Sequence, residues 1–180
     1  MTDNERGAIV DDDGHTVTLT FRRILRHTPE HVWEALSTPA GLEGWLMCTH
    51  ANIEPRAGGD FELVSGPAGY HSTGKIRHWD PPHVLEYEWK VAAVSEMPLG
   101  QDAIFRFELV PQPDNTTLLV VTYRRITKDT AGGFLPGTHV FLDRLEAQLA
   151  GTPLPDWMTR FIAIRDTYPE WKDHATTARQ

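Results

Sequence analysis

The side chains in this sequence best equipped for chemistry on an uncharged molecule are a few imidazoles and phenols. His78 is the foremost. It falls on the apolar parity of residues 74–79, so a strand there would aim it inward. A neutral imidazole, with an ordinary pKa of ~6.5, serves near neutral pH as a general base or as a hydrogen-bond partner for a carbonyl. A structural histidine satisfied by its neighbours is the competing reading. Tyr70, in a turn region, and His139, at the start of a helix, are candidates for a cavity mouth, and Tyr70 or Tyr87 would help His78 polarise a carbonyl. Other chemistries are poorly served. Nine histidines invite a zinc site, yet the one pair four apart, His27 and His31, straddles a helix start, which leaves His27 off the helix. Gly58 and Gly59 read as a hairpin turn, and Ser65, Ser72 and Ser95 have no base spaced with them. Neither a metal nor a cofactor is expected, and no motif specifies a reaction.

These groups need elements to carry them. Phe141, Leu142, Leu145 and Leu149 recur at three- and four-residue spacing, which predicts a helix over 138–150 with Asp143, Arg144, Glu146 and Gln148 on its other face. Thr138 is the expected cap and Gly151 the left-handed stop. Burying four such apolar side chains contributes ~1.5–3 kcal/mol each, gross, against a domain's net stability of ~5–15 kcal/mol. The helix therefore needs a large apolar partner, and the segments before it read as strands.

Along 16–25, Val17, Leu19, Phe21 and Leu25 share one face; Arg23 has their parity and is expected to snorkel out at the strand end. Thr28-Pro29-Glu30 and Thr38-Pro39 open two short helices with apolar faces at Val32, Trp33 and Leu36 and at Leu42, Trp45 and Leu46. Strands and turns follow to Ile126. Their inward side chains are Phe61, Ile76 and His78, then Leu85, Tyr87 and Trp89, then Phe105 and Phe107, with Leu142 facing them from the helix and Trp45 as core or cavity rim. Such residues fill a core or line a ligand pocket, and their excess of aromatic rings favours the pocket.

Composition narrows the class. A net charge of −8 leaves no basic stripe for phosphates, so no nucleic-acid partner is expected. No apolar run approaches the ~20 residues that span a bilayer, so no membrane partner is expected either. The single cysteine, Cys48, and a polar, acidic N-terminus without the pattern of a signal peptide point to the cytoplasm. Three regions are expected: a flexible acidic tail over 1–14, one α+β domain over 15–151, and a helical extension over 152–180. Trp157, Phe161, Ile164 and Tyr168 make that extension amphipathic, for packing on the exterior or for a homodimer contact.

The runs TPEHVWEALSTPAGLEGWL, IEPRAGGDFEL, GKIRHWDPPHVLEYEW and FLDRLEAQLAG resemble the START-like superfamily, and within it activators of heat-shock protein 90 ATPase homologues. The resemblance covers residues 16–151. It implies a helix-grip fold: a curved antiparallel sheet wrapped around the long C-terminal helix, with two short helices after the first strand. It further implies an apolar cavity between sheet and helix that binds a hydrophobic small molecule. A polyketide cyclase- or hydrolase-like enzyme using His78 is the alternative, and regulation of a chaperone ATPase, with the chaperone as partner, is a second. The sequence departs from the family pattern at His78, where glutamate is common, and at His27, where a small residue is usual.

Overall fold

Alternation of apolar and polar residues builds eight strands in a computed structural model that describes residues 6–177. The strands are β1 (Ala8–Asp12), β2 (Thr16–Leu25), β3 (His50–Ile53), β4 (Asp60–Ser65), β5 (Tyr70–Asp80), β6 (Val84–Val91), β7 (Gln101–Gln112) and β8 (Thr116–Thr127). Helices α1 (Pro29–Ser37) and α2 (Pro39–Trp45) follow β2; α3 (Lys128–Ala150), α4 (Trp157–Ile164) and α5 (Pro169–Thr177) follow β8. The strands form one open antiparallel sheet in the order β1-β2-β8-β7-β6-β5-β4-β3. Short strands β1 and β3 end it, and β8 lies inside, as its apolar residues on both faces require.

The sheet curves around α3 in the helix-grip manner. Leu135, Leu142, Leu145 and Leu149 of the helix share one buried cluster with Val17, Leu19 and Phe21 of β2 and with the inner residues of β6–β8. The outer face is charged and internally paired: Glu86 accepts hydrogen bonds from Arg77, Arg106 and Arg124 at 3.2, 3.3 and 2.8 Å. The polar face of α3 is a clamp. Gln148 accepts from the Trp45 backbone N–H at 2.8 Å, and Arg144 donates to the carbonyls of Gly44, Trp45 and Pro155.

Three local expectations are corrected. Helix α3 starts at Lys128, not Thr138. Gly132, Gly133 and Gly137 are weak helix formers and Pro136 removes one hydrogen bond from the ladder, so the first turns look non-helical in sequence. Burial of Ala131, Leu135 and Val140 outweighs those losses. Residues 8–12, assigned to the flexible tail, pair with β2 as an edge strand, with a bulge between Ile9 and Asp11; the first five residues lie outside those described. Arg23 does not snorkel out: it is 3% exposed beneath α3, bonded to Asp143 at 3.0 Å and Glu146 at 2.9 Å. Beyond α4, a further helix, α5, opens at Pro169.

Candidate functional site

Strand register sets the inner face row by row. Ile76 pairs with Tyr87, Tyr87 with Phe105, Phe105 with Tyr123 and Tyr123 with Leu19, so one row of large side chains crosses five strands. The next row sets Leu85 beside Phe107 and Phe107 beside Val121. The rings interlock. Phe105 stacks on Tyr123 at 3.7 Å between centroids, Trp89 on Phe105 at 4.9 Å and Phe61 on Tyr87 at 3.7 Å. Tyr87, Trp89, Phe105 and Tyr123 each meet at least two other rings, and Phe61 stacks on Tyr87 alone.

Above the floor, the sheet and the first half of α3 do not close on each other. The space between them is a cavity of about 440 Å³. Tyr87, Trp89, Phe105, Phe107 and Tyr123 line it from the sheet; Gly133, Phe134, Gly137, Thr138 and Phe141 line it from α3. Gly133 leaves real room there, since a Cβ built on it would meet nothing within 4 Å. Trp45 and Leu46 close one side; Pro67 and Ala68 of the β4–β5 turn, Glu96 and Met97 of the β6–β7 connection, and Trp157, Phe161 and Trp171 of the tail complete the wall. Helices α4 and α5 fold back on α3, and the Trp157 ring lies beside Gly137, where a Cβ would stand at an ordinary contact distance of 3.6 Å from its Cζ2.

The polar groups in this wall are few and mostly neutral. Burial pushes the Tyr87 and Tyr123 phenols well above their ordinary range; Tyr123 further raises Tyr87, and a hydrogen bond with Thr138 opposes the effect on Tyr123. Both phenols therefore stay protonated and act as hydrogen-bond donors, not bases.

Of the residues singled out in the sequence, Trp45, Tyr70, Tyr87, Trp89, Phe105 and Phe107 line the cavity together. Phe61, Ile76, Leu85 and Leu142 are buried in the core beside it without lining it. His78 is elsewhere. A bulge between Ile76 and His78 shifts the parity of β5 by one residue, and the imidazole is exposed. His139 is 1% exposed but lies outside the lining, bonded through Nδ1 to the Tyr168 hydroxyl at 2.8 Å. Sequence reasoning missed Tyr123, whose parity with Leu119 and Val121 in β8 was a usable signal. It missed Phe134, hidden in the glycine-rich start of α3, and Glu96 and Met97, which stand in a connection without periodicity. Trp157 and Phe161 stand out in sequence as apolar, yet nothing local says which surface they meet, and Trp171 is missed.

A family model described as Activator of Hsp90 ATPase homolog 1-like protein matches residues 26–150. Among solved structures, the chain is similar to protein MLL2253 from Mesorhizobium loti, with 28% identity over 76% of this chain and 99% of that one, and a TM-score of 0.64. Its fold is also similar to CalU16 from Micromonospora echinospora, at 19% identity over 85% and 86% of the two chains and a TM-score of 0.64. The fold of PFC0360w, an HSP90 activator from Plasmodium falciparum, is similar over 61% of this chain and 73% of that one, at 20% identity and a TM-score of 0.50. No curated protein sequence matches the chain.

Proposed function

The chain belongs to the Activator of Hsp90 ATPase homolog 1-like family, and from that premise we propose that it binds an apolar small molecule in the cavity between sheet and α3. The carrying observation is the wall itself: about 440 Å³ lined by aromatic rings with a few neutral hydrogen-bond donors. Ligand pockets of ~300–1,000 Å³ have this make-up, an apolar body of wall with a few polar groups that orient the ligand. The cytoplasm is the proposed setting, consistent with a lone buried cysteine whose thiol burial pushes up, away from the reactive thiolate.

Catalysis has no comparable support, since His78 is outside the cavity and the lining phenols are held protonated. Chaperone regulation rests on the family description alone. The test is native mass spectrometry of the purified protein for a retained small molecule, joined to titration with the neutral probe 2-(2-naphthyl)ethanol. Saturable, one-to-one binding is expected. A protein that carries nothing and gives no saturable titration overturns the reading.

A further inference from the structure

Among the described residues that line the cavity, Glu96 alone carries a charge at neutral pH. It stands in the connection between β6 and β7, where Val94 and Met97 exchange two backbone hydrogen bonds of 3.1 Å. Met97 is 2% exposed and locks this connection into the wall, while Glu96 remains in solvent beside it. A hydrogen bond from the Ser95 side chain, and one from its own backbone, hold the Glu96 carboxyl below the usual range, so it is ionised at neutral pH. Tyr70 lines the same cavity; burial raises its phenol, and the Glu96 carboxylate adds to the rise. No lysine, arginine or histidine joins the described lining. Arg165 is engaged with the Trp171 ring, 5.5 Å from its centroid.

A ligand that ended in a carboxylate would thus present its charge beside Glu96 with no cation among the described lining residues to meet it, and like charges in one site disfavour each other. A protonated amine at that end would find an ion-pair partner at the rim while its apolar body lay against the rings. Resting on the ligand-binding reading above, we propose that the cavity takes an apolar molecule ending in a protonated amine, that Glu96 recognises that end, and that the mouth rejects carboxylic acids. Glu96 is then the residue that sets charge specificity, and the aromatic wall sets affinity.

A matched set of probes tests this: 2-(2-naphthyl)ethylamine, 2-(2-naphthyl)ethanol and 2-naphthylacetate, each titrated against the full chain by quenching of tryptophan fluorescence. The amine should bind about fivefold to tenfold more tightly than the acid, as exposed ion pairs allow when attraction to one probe adds to repulsion of the other. Salt should compress that ratio. Glu96→Gln should bring it to about twofold. Asp114→Asn, which removes an equal charge from the β7–β8 turn, should leave the ratio where it was. A wild-type ratio near one, or a ratio that Glu96→Gln does not move, overturns the assignment of Glu96 while alcohol binding upholds the cavity reading. If none of the three probes saturates, both fall together.

Discussion

Two histidines of this chain have opposite fates, and one backbone irregularity separates expectation from structure. His78 shares the parity of Ile76 only if β5 runs without interruption, and the bulge between them turns the ring outward. Alternation is legible in sequence; a bulge within it is not. His139, read as a mouth residue, is instead buried among Tyr168, Asp143, Arg23, Arg160 and Arg6. The Tyr168 hydroxyl accepts from the Gly7 backbone N–H at 3.0 Å and shares a hydrogen bond of 2.8 Å with His139 Nδ1. Desolvation pushes this imidazole down to about 4, the three arginines reinforcing it and Asp143 opposing it. The unfolded chain, with an ordinary value of ~6.5, therefore takes up the proton first as pH falls. Stability from neutral His139 is complete above pH ~6.5, declines between ~6.5 and ~4, and levels off below, for a loss on the order of 3 kcal/mol. Urea denaturation at pH 7.5, 6.0 and 4.5 should show that decline in the wild type and a flatter profile in His139→Gln. Equal slopes in the two proteins would refute the assignment.

At the scale of elements, the sheet was legible because one buried face imposes alternation, and the clean patterns of β6 and β7 came through unchanged. Edges and ends were not. Asp11 and Asp12 disguised β1, and glycines with Pro136 disguised the first ten residues of α3. The tail was legible as amphipathic, but its partner was not. Phe161 and Ile164 are buried with Val140 of α3, the buried Tyr168 bonds Gly7 and His139, and the Arg160 guanidinium bonds Asp143 at 2.6 Å. Removing everything after Gly151 would expose apolar surface of α3, strip the Tyr168 hydroxyl from His139 and Gly7, and take three rings from the cavity wall. The shortened chain should lose roughly 3–5 kcal/mol, from three apolar side chains at ~1.5–3 kcal/mol each less the entropy regained. That corresponds to a melting temperature lower by about 10 °C. Calorimetry of the two chains decides it: a shift within a degree or two would mean that the tail contributes nothing to the domain's stability.

For the molecule as a whole, the distance between its layers decides whether it has a site or only a core, and no sequence pattern encodes that distance. Parity says which side chains face inward; it does not say whether opposing faces touch. At the Leu142–Leu149 end of α3 they do, closing over Phe21 and Arg23. At the Gly133–Phe141 end they part, with aromatic rings below and glycines above. Gly133 tests this difference with a single substitution. Its backbone lies in the helix interior without positive φ, and a Cβ there meets nothing within 4 Å. In Gly133→Leu, replacing glycine raises helix propensity by ~0.5–1 kcal/mol, and the new side chain buries its apolar atoms in space that the fold leaves empty. The melting temperature should rise by a few degrees. Affinity for 2-(2-naphthyl)ethanol should fall at least about tenfold, because leucine occupies the volume the probe needs. Were the two layers in contact in solution, the same substitution would overpack them at a cost of ~1–3 kcal/mol and the melting temperature would drop. The sign of the thermal shift thus reports whether the space is open, and the probe titration reports whether that space is where the ligand goes.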